Sequence, residues 1–204
     1  MDNSNISYTF DAMKCYVINR NDRPQRWDKV WDELIRVGIK PERFPAIIAT
    51  PGWVGCRDSH LKLLEQNRNE EHVIIFEDDV IFITDPVFAI EKCFTELSPD
   101  WDCLYFGASP KQPQERYSEH LFKLNNAHVT HAILWNMQGE AVKQILVDKD
   151  QIRKWDDYLA TVIQPKFNCF VVYPMVATQR QYQSDTCKRS DVSTIESNYN
   201  LYCK

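Results

Sequence analysis

The sequence has no apolar run approaching the roughly 18 residues of a membrane-spanning helix, and its start, Met1-Asp2-Asn3-Ser4-Asn5, has no basic segment leading into an apolar one. These absences argue against a membrane span and a secretory signal, so a cytoplasmic location is expected. The seven cysteines (Cys15, Cys56, Cys93, Cys103, Cys169, Cys187, Cys203) show no C-x-x-C spacing. An odd, scattered set of this kind argues against a zinc site and against a dense disulfide framework. A Gly-x-x-x-x-Gly-Lys loop is missing, and so is any internal repeat or low-complexity tract. Excess positive charge is lacking too: 24 Lys and Arg stand against 29 Asp and Glu, a formal net charge of -5. Nucleic acid and anionic membrane surfaces are therefore not attracted over the whole molecule. An anionic ligand needs a local remedy, a metal ion or a few arginines.

What is present suits one globular enzyme domain. A chain of 204 residues, 44% hydrophobic and 12% aromatic, is long enough to bury a substantial core. One domain over residues 1–204 is expected, with 1–12 and about 186–204 as flexible ends. The stretch Cys15-Tyr16-Val17-Ile18 reads as a strand that ends in polar Asn19–Arg23. Trp27, Val30, Trp31, Leu34 and Ile35 then recur at helical spacing, and the two tryptophans read as core. A second strand is predicted at 44–48, and a helix capped by Asp58 or Ser59 follows it. The clearest strand is His72–Phe76, apolar on both faces as a central parallel strand requires. Pro86 opens another helix, strands are predicted at 101–107, 131–135 and 167–173, and helices at 136–147 and 149–163. Alternation of this kind predicts an α/β domain with a mostly parallel central sheet. Ligands of such sheets bind at the carboxyl ends of the strands.

The triplet Glu77-Asp78-Asp79 interrupts an otherwise apolar run at such an end. Unpaired charge there is costly enough to call for a cation, and oxygen ligands suit Mn²⁺ or Mg²⁺. If the segment stays extended, Glu77 and Asp79 share a face and Asp78 points the other way. A solvated acidic turn is the plainer alternative.

The ordered series Cys15–Arg20 with Arg23 and Arg26, Arg43-Phe44-Pro45-Ala46, Gly55-Cys56 with Ser59-His60, and Ile75–Asp79 resembles glycosyltransferase family 25. That family includes lipooligosaccharide and procollagen galactosyltransferases. The resemblance continues through Trp101-Asp102, Thr130-His131-Ala132, Trp155–Leu159, and Gln179 with Ser184-Asp185, nearly the whole chain. It implies a GT-A type, Rossmann-like glycosyltransferase domain, a UDP-sugar donor and a metal at the acidic motif. Carried over position by position, Asp79 is the first metal ligand, Glu77 the next and Asp78 a further candidate. Asn19 and Arg20 would seat the nucleotide, and Arg23 would meet the diphosphate, whose oxygens suit a guanidinium fork. Ser59 and His60, read as a helix start, would hold an anion with backbone N–H groups; a cap and a packed histidine are the alternatives.

An inverting transferase needs a base for the acceptor hydroxyl, and Asp156 and Asp157 match an acidic pair of the family. The choice between them stays open, as does a solvated helix face. No histidine follows His131, so the additional histidine ligand common in GT-A enzymes has no counterpart here; Asp185 could substitute, or cap a turn. His131 reads as structural. Trp135 and Trp155 are candidate platforms for an acceptor sugar, with core packing the plainer reading. The activity implied is transfer of galactose or glucose from a UDP-hexose to a hydroxyl acceptor such as hydroxylysine of a collagen-like protein or a glycan. The alternative is a nucleotide-sugar or carbohydrate-binding module without turnover.

Overall fold

The computed structural model of the chain describes residues 13–182 and 192–204. The first half lays down β1 (Lys14–Asn19), α1 (Pro24–Arg36), β2 (Glu42–Pro45), α2 (Gly52–Gln66), β3 (His72–Glu77), β4 (Val80–Phe82) and α3 (Pro86–Glu96). Then come β5 (Cys103–Tyr105), the short β6 (Ser109–Pro110) and β7 (Glu115–Arg116), β8 (Leu121–Lys123), β9 (Ala127–His128), β10 (Ala132–Asn136) and α4 (Glu140–Asp148). The chain closes with α5 (Trp155–Tyr158), which runs on as a π-helical turn over Leu159–Ile163, then β11 (Cys169–Val172), β12 (Ala177–Gln179) and α6 (Val192–Tyr202).

Eight strands form one sheet in the order β2-β1-β3-β10-β5-β11-β8-β7. Pairing directions make six of them run one way, with β10 and β8 reversed. The expected mostly parallel α/β sheet is therefore present. The reversal of β10 is the departure that matters: it lies antiparallel between β3 and β5, with Ala132 opposite Phe76 and Ile133 opposite Tyr105. An apolar strand buried on both faces reads identically in either direction, so residue pattern alone does not reveal it.

Side-chain alternation divides the core in two. Val73 and Ile75 of β3, with Ile133 and Trp135 of β10, join a layer with Leu63 and Leu64 of α2, Val142 and Ile145 of α4, Trp155 and Tyr199. Ile74 and Phe76, with Leu134, join Val30 and Leu34 of α1 and Ile90 and Cys93 of α3. Helices thus cover both faces, a Rossmann-like arrangement. On α1 the fully buried positions are Val30 and Leu34, while Trp27 and Trp31 are only half-buried, their rings 5.5 Å apart.

Several boundaries move. α2 begins at Gly52 after Pro51, nearly two turns ahead of Asp58 and Ser59, so neither residue caps it. α3 starts at Pro86 as expected, with Asp85 Oδ1 accepting from the Val87 and Phe88 amides. Helix begins at Trp155 rather than at 149. Within the expected flexible end, residues 192–202 instead form α6, which packs Ile195 and Tyr199 against the core, the Tyr199 hydroxyl donating to the Val172 carbonyl. Residues 1–12, together with 186–191, lie outside the described residues, as do Ser184 and Asp185. Among the described residues no helix is long and apolar enough to cross a membrane.

Candidate active site

β1, β2 and β3 run side by side and end together, at Asn19, Pro45 and Glu77. Because β10 is reversed, the segment leading into it, 128–131, arrives at that same edge, and the Glu77 amide donates to the His131 carbonyl at 2.9 Å. The edge opens into a cavity of about 470 Å³. Its lining comes from segment 46–49, α2, the acidic triplet, residues 128–130 and Asp156.

β3 stops at Glu77, and Asp78 and Asp79 form a turn before β4. Strand parity therefore fails at Asp78: all three carboxylates line the cavity. Asp78 accepts from Asn19 Nδ2 at 2.7 Å and pairs with Arg26 Nη1 at 3.3 Å. Glu77 Oε1 lies 2.6 Å from Thr130 Oγ1 and 3.3 Å from His60 Nε2. The Asp79 carbonyl accepts from the Arg180 amide at 2.6 Å, whereas its side-chain Oδ1 is buried with no hydrogen-bond partner among the described residues.

The three acids are tuned apart. Enclosure, reinforced by the charges of Glu77 and Asp78, pushes Asp79 well above the usual carboxylate range. Enclosure also raises Asp78, opposed by Asn19 and Arg26. Enclosure acts on Glu77 in the same sense, but His60, Thr130 and His131 together hold it below its ordinary value. An orphaned buried carboxylate oxygen among three acids fits a divalent cation, and Asp79 and Glu77 are hard oxygen donors of the sort Mn²⁺ and Mg²⁺ take.

The sequence-derived donor candidates separate. Arg20 lines the cavity and forms a two-point contact with Asp22 at 2.9 and 2.7 Å. Asn19 is buried behind the lining, with Nδ2 on Asp78 and Oδ1 accepting from Arg43 Nη2 at 2.5 Å, so it acts as a strut for the site. Arg23 precedes α1 and does not reach the lining; Arg26, one turn on, does. Ser59 and His60 line the cavity, but from inside α2 rather than from a helix start, so no free amides are offered there. Ser59 Oγ donates to the Gly55 carbonyl at 2.7 Å and accepts from the Ile47 amide at 2.8 Å, which ties segment 46–49 to the helix. Gly55 allows this contact, because a Cβ there would stand 2.1 Å from the Ile47 carbonyl oxygen.

Of the two candidate bases, only Asp156 lines the cavity. Its Oδ1 lies 3.1 Å from Thr130 Oγ1, and burial followed by the nearby Glu77 charge pushes its carboxyl up to about 6. Asp157 turns outward, half-exposed, toward Lys154 at 3.6 Å and His128 at 3.9 Å. Trp155 is buried and stacks on His60 at 5.1 Å, with Trp135 6.2 Å beyond it, so both tryptophans are core and neither is a sugar platform. His131 is fully buried and donates from Nε2 to the Ala177 carbonyl at 3.2 Å. Thr130, Lys111 and Gln179 are lining residues that the sequence did not single out for chemistry. Thr130 appeared only inside a matched motif, since a lone loop threonine carries no periodic signal.

No family model matches the chain. Its sequence is similar to two proteins named glycosyltransferase 25 family member. One, from Aedes aegypti, is 25% identical over 186 residues, and the other, from Anopheles gambiae, is 24% identical over 185, each match covering 71% of this chain. The chain spans about 30% of the length of these relatives. Among solved structures it is similar to a mannose-1-phosphate geranyltransferase from Thermus thermophilus, with TM-score 0.47, 11% identity, and 81% of this chain and 75% of that one covered. It is also similar to a glycosyltransferase involved in glycosylation of the major capsid of PBCV-1, with TM-score 0.45, 10% identity, and 78% and 80% covered. The resemblance read from the ordered motifs is thus one to named family 25 proteins.

Proposed function

We propose, starting from this kinship with glycosyltransferase family 25, that the cavity is the active site of a GT-A type, metal-dependent, inverting transferase. It moves a hexose, galactose or glucose, from a UDP-sugar to a hydroxyl of a glycan or of a hydroxylysine in a collagen-like protein. The observation that carries the reading is that Asp156 lines the same cavity as Glu77, Asp78 and Asp79, one threonine hydroxyl away from Glu77.

Asp79 and Glu77 would hold Mn²⁺ or Mg²⁺, the ion offsetting charge that develops on the departing diphosphate. Arg20 and Arg26 line the same cavity and supply the positive charge an anionic donor requires in a protein of net charge -5. Asn19 keeps Asp78 in place, and Asp78 keeps Arg26 facing inward. Asp156, when ionised, takes the proton from the acceptor hydroxyl as that oxygen attacks the anomeric carbon on the side away from UDP. A base whose pKa lies near the working pH suits this task. Thr130 bridges the base to Glu77 and fixes the spacing between the two halves of the site.

The test is UDP release by the pure protein across a panel of UDP-sugars, with Mn²⁺ or with EDTA. Metal-dependent release from one hexose donor supports the proposal. Donor binding without turnover on any acceptor moves the reading to a binding module, and no binding at all overturns it.

A further inference from the structure

On the α2 wall, next to the site assigned to the hard cation, the cavity holds a set of donors that the proposed transfer leaves unused. Cys56 and His60 stand four residues apart on α2, on one side of the helix, and Glu77 meets them from β3. One ligating atom of each lies within 4.8 Å of the other two. The His60 ring is buried and held in place by stacking on Trp155 at 5.1 Å. It turns Nε2 toward Glu77 at 3.3 Å, while Nδ1 is buried without a partner among the described residues. Cys56 lines the cavity, where burial, then the charges of Glu77, Asp156 and Asp79, hold its thiol well above the ordinary value, so that a cation is what draws the proton off. We infer that Cys56, His60 and Glu77 form a second cation site, selective for a thiophilic ion of the Zn²⁺ class.

A thiolate, an imidazole and a carboxylate are the ligand types of such ions, and three protein ligands beside an open cavity leave a position for water or an anion. At nitrogen and sulfur donors Zn²⁺ outcompetes Mn²⁺. On binding, the Cys56 Sγ–H bond is replaced by an Sγ–metal bond and the proton passes to solvent. Glu77 belongs to both sites, so a soft ion seated here withdraws a ligand from the hard-cation site. The inference rests on the proposed function only for that consequence; the site itself stands without it.

The probe is Co²⁺, whose thiolate charge-transfer absorption reports sulfur ligation with no donor sugar present. Titration of the full chain is expected to give that band, and Zn²⁺ to bleach it. Cys56→Ser should abolish the band, with far-ultraviolet circular dichroism unchanged, while Asp79→Asn should keep it. Absence of a band in the wild type, or its survival in Cys56→Ser, overturns the site. If the band behaves as expected and no UDP-sugar is turned over, the cation site stands and the transferase reading fails. If turnover is Mn²⁺-dependent, Zn²⁺ should inhibit it in the wild type and less in Cys56→Ser; equal inhibition overturns the shared-ligand consequence.

Discussion

Glu77 and Asp156 meet across the single hydroxyl of Thr130, which lies 2.6 Å from one carboxyl and 3.1 Å from the other. A hydroxyl donates one hydrogen. The two carboxyls therefore share that hydrogen, Glu77 by the shorter contact and Asp156 by the longer, and Asp156, raised to about 6, is protonated at mildly acidic pH. Deprotonation frees Asp156 to accept from another hydroxyl, the role the proposed transfer gives it.

Asp156→Asn is therefore expected to lower kcat by about 10²- to 10⁴-fold, the usual contribution of a positioned base, with the donor dissociation constant little changed. Asp157→Asn should stay within a few-fold of wild type, because Asp157 is exposed, pairs with Lys154 and the rim residue His128, and does not line the cavity. Equal losses in the two variants would contradict the assignment.

The same group sets an acid limb. The base acts when ionised, so kcat/KM should rise with pH through about 6 and level off above it. Initial rates between about pH 5 and 8 at fixed Mn²⁺ check this, and the limb should vanish from the residual activity of Asp156→Asn.

Asp79 carries a stability cost. Its folded-state pKa is raised, so the folded protein holds the proton more tightly than the unfolded chain, and ionisation at neutral pH costs stability. Asp79→Asn removes that cost and should raise the metal-free melting temperature by about 2–4 °C, or roughly 1 kcal/mol. Added Mn²⁺ should stabilise the wild type and leave the variant unmoved, as thermal melts with and without the ion would reveal.

His131 predicts the acid sensitivity of the fold. Burial pushes its imidazole down to about 4 from an ordinary 6.5, so the unfolded chain binds a proton that the folded one rejects. Its contribution is thus intact above about 6.5, and up to ~3 kcal/mol is lost as pH falls toward 4. His131→Phe should flatten the urea midpoint between those pH values; an unchanged slope would refute the account.

Gly55→Ala places a methyl 2.1 Å from the Ile47 carbonyl, where backbone has to give way. A loss of about 1–3 kcal/mol is expected in chemical denaturation. Displacement of the 46–49 wall should raise KM for the donor as well.

Residue pattern alone carried the sheet and one half of the site. β3 and its acidic end were legible because four apolar residues followed by three carboxylates contradict each other unless a ligand intervenes. Parity gives the wrong orientation for Asp78 because it holds only while the strand continues, and the chain turns at Asp78. A helix entered through Pro51-Gly52 lacks the usual polar opening, so Ser59, the first serine inside it, resembles a cap in the sequence. The choice between Asp156 and Asp157 follows from where α5 begins, and Thr130 gains its place only through the reversal of β10. Both are tertiary facts with no periodic trace in the sequence.

That reversal gives the two walls of the cavity separate histories within the chain. The side with Asn19, Arg26 and the acidic triplet is built from the amino-terminal run of strands, whereas Thr130 belongs to the 26 residues between β5 and β10, 106–131, which also supply β7 and β8 at the far edge of the sheet. Lengthening or trimming that segment away from Thr130 would reshape one side of the cavity and leave the strands that carry the acidic triplet untouched. Under the proposed transfer, a scaffold divided in this way is one that can be retargeted to a new hydroxyl without relearning how to hold its donor.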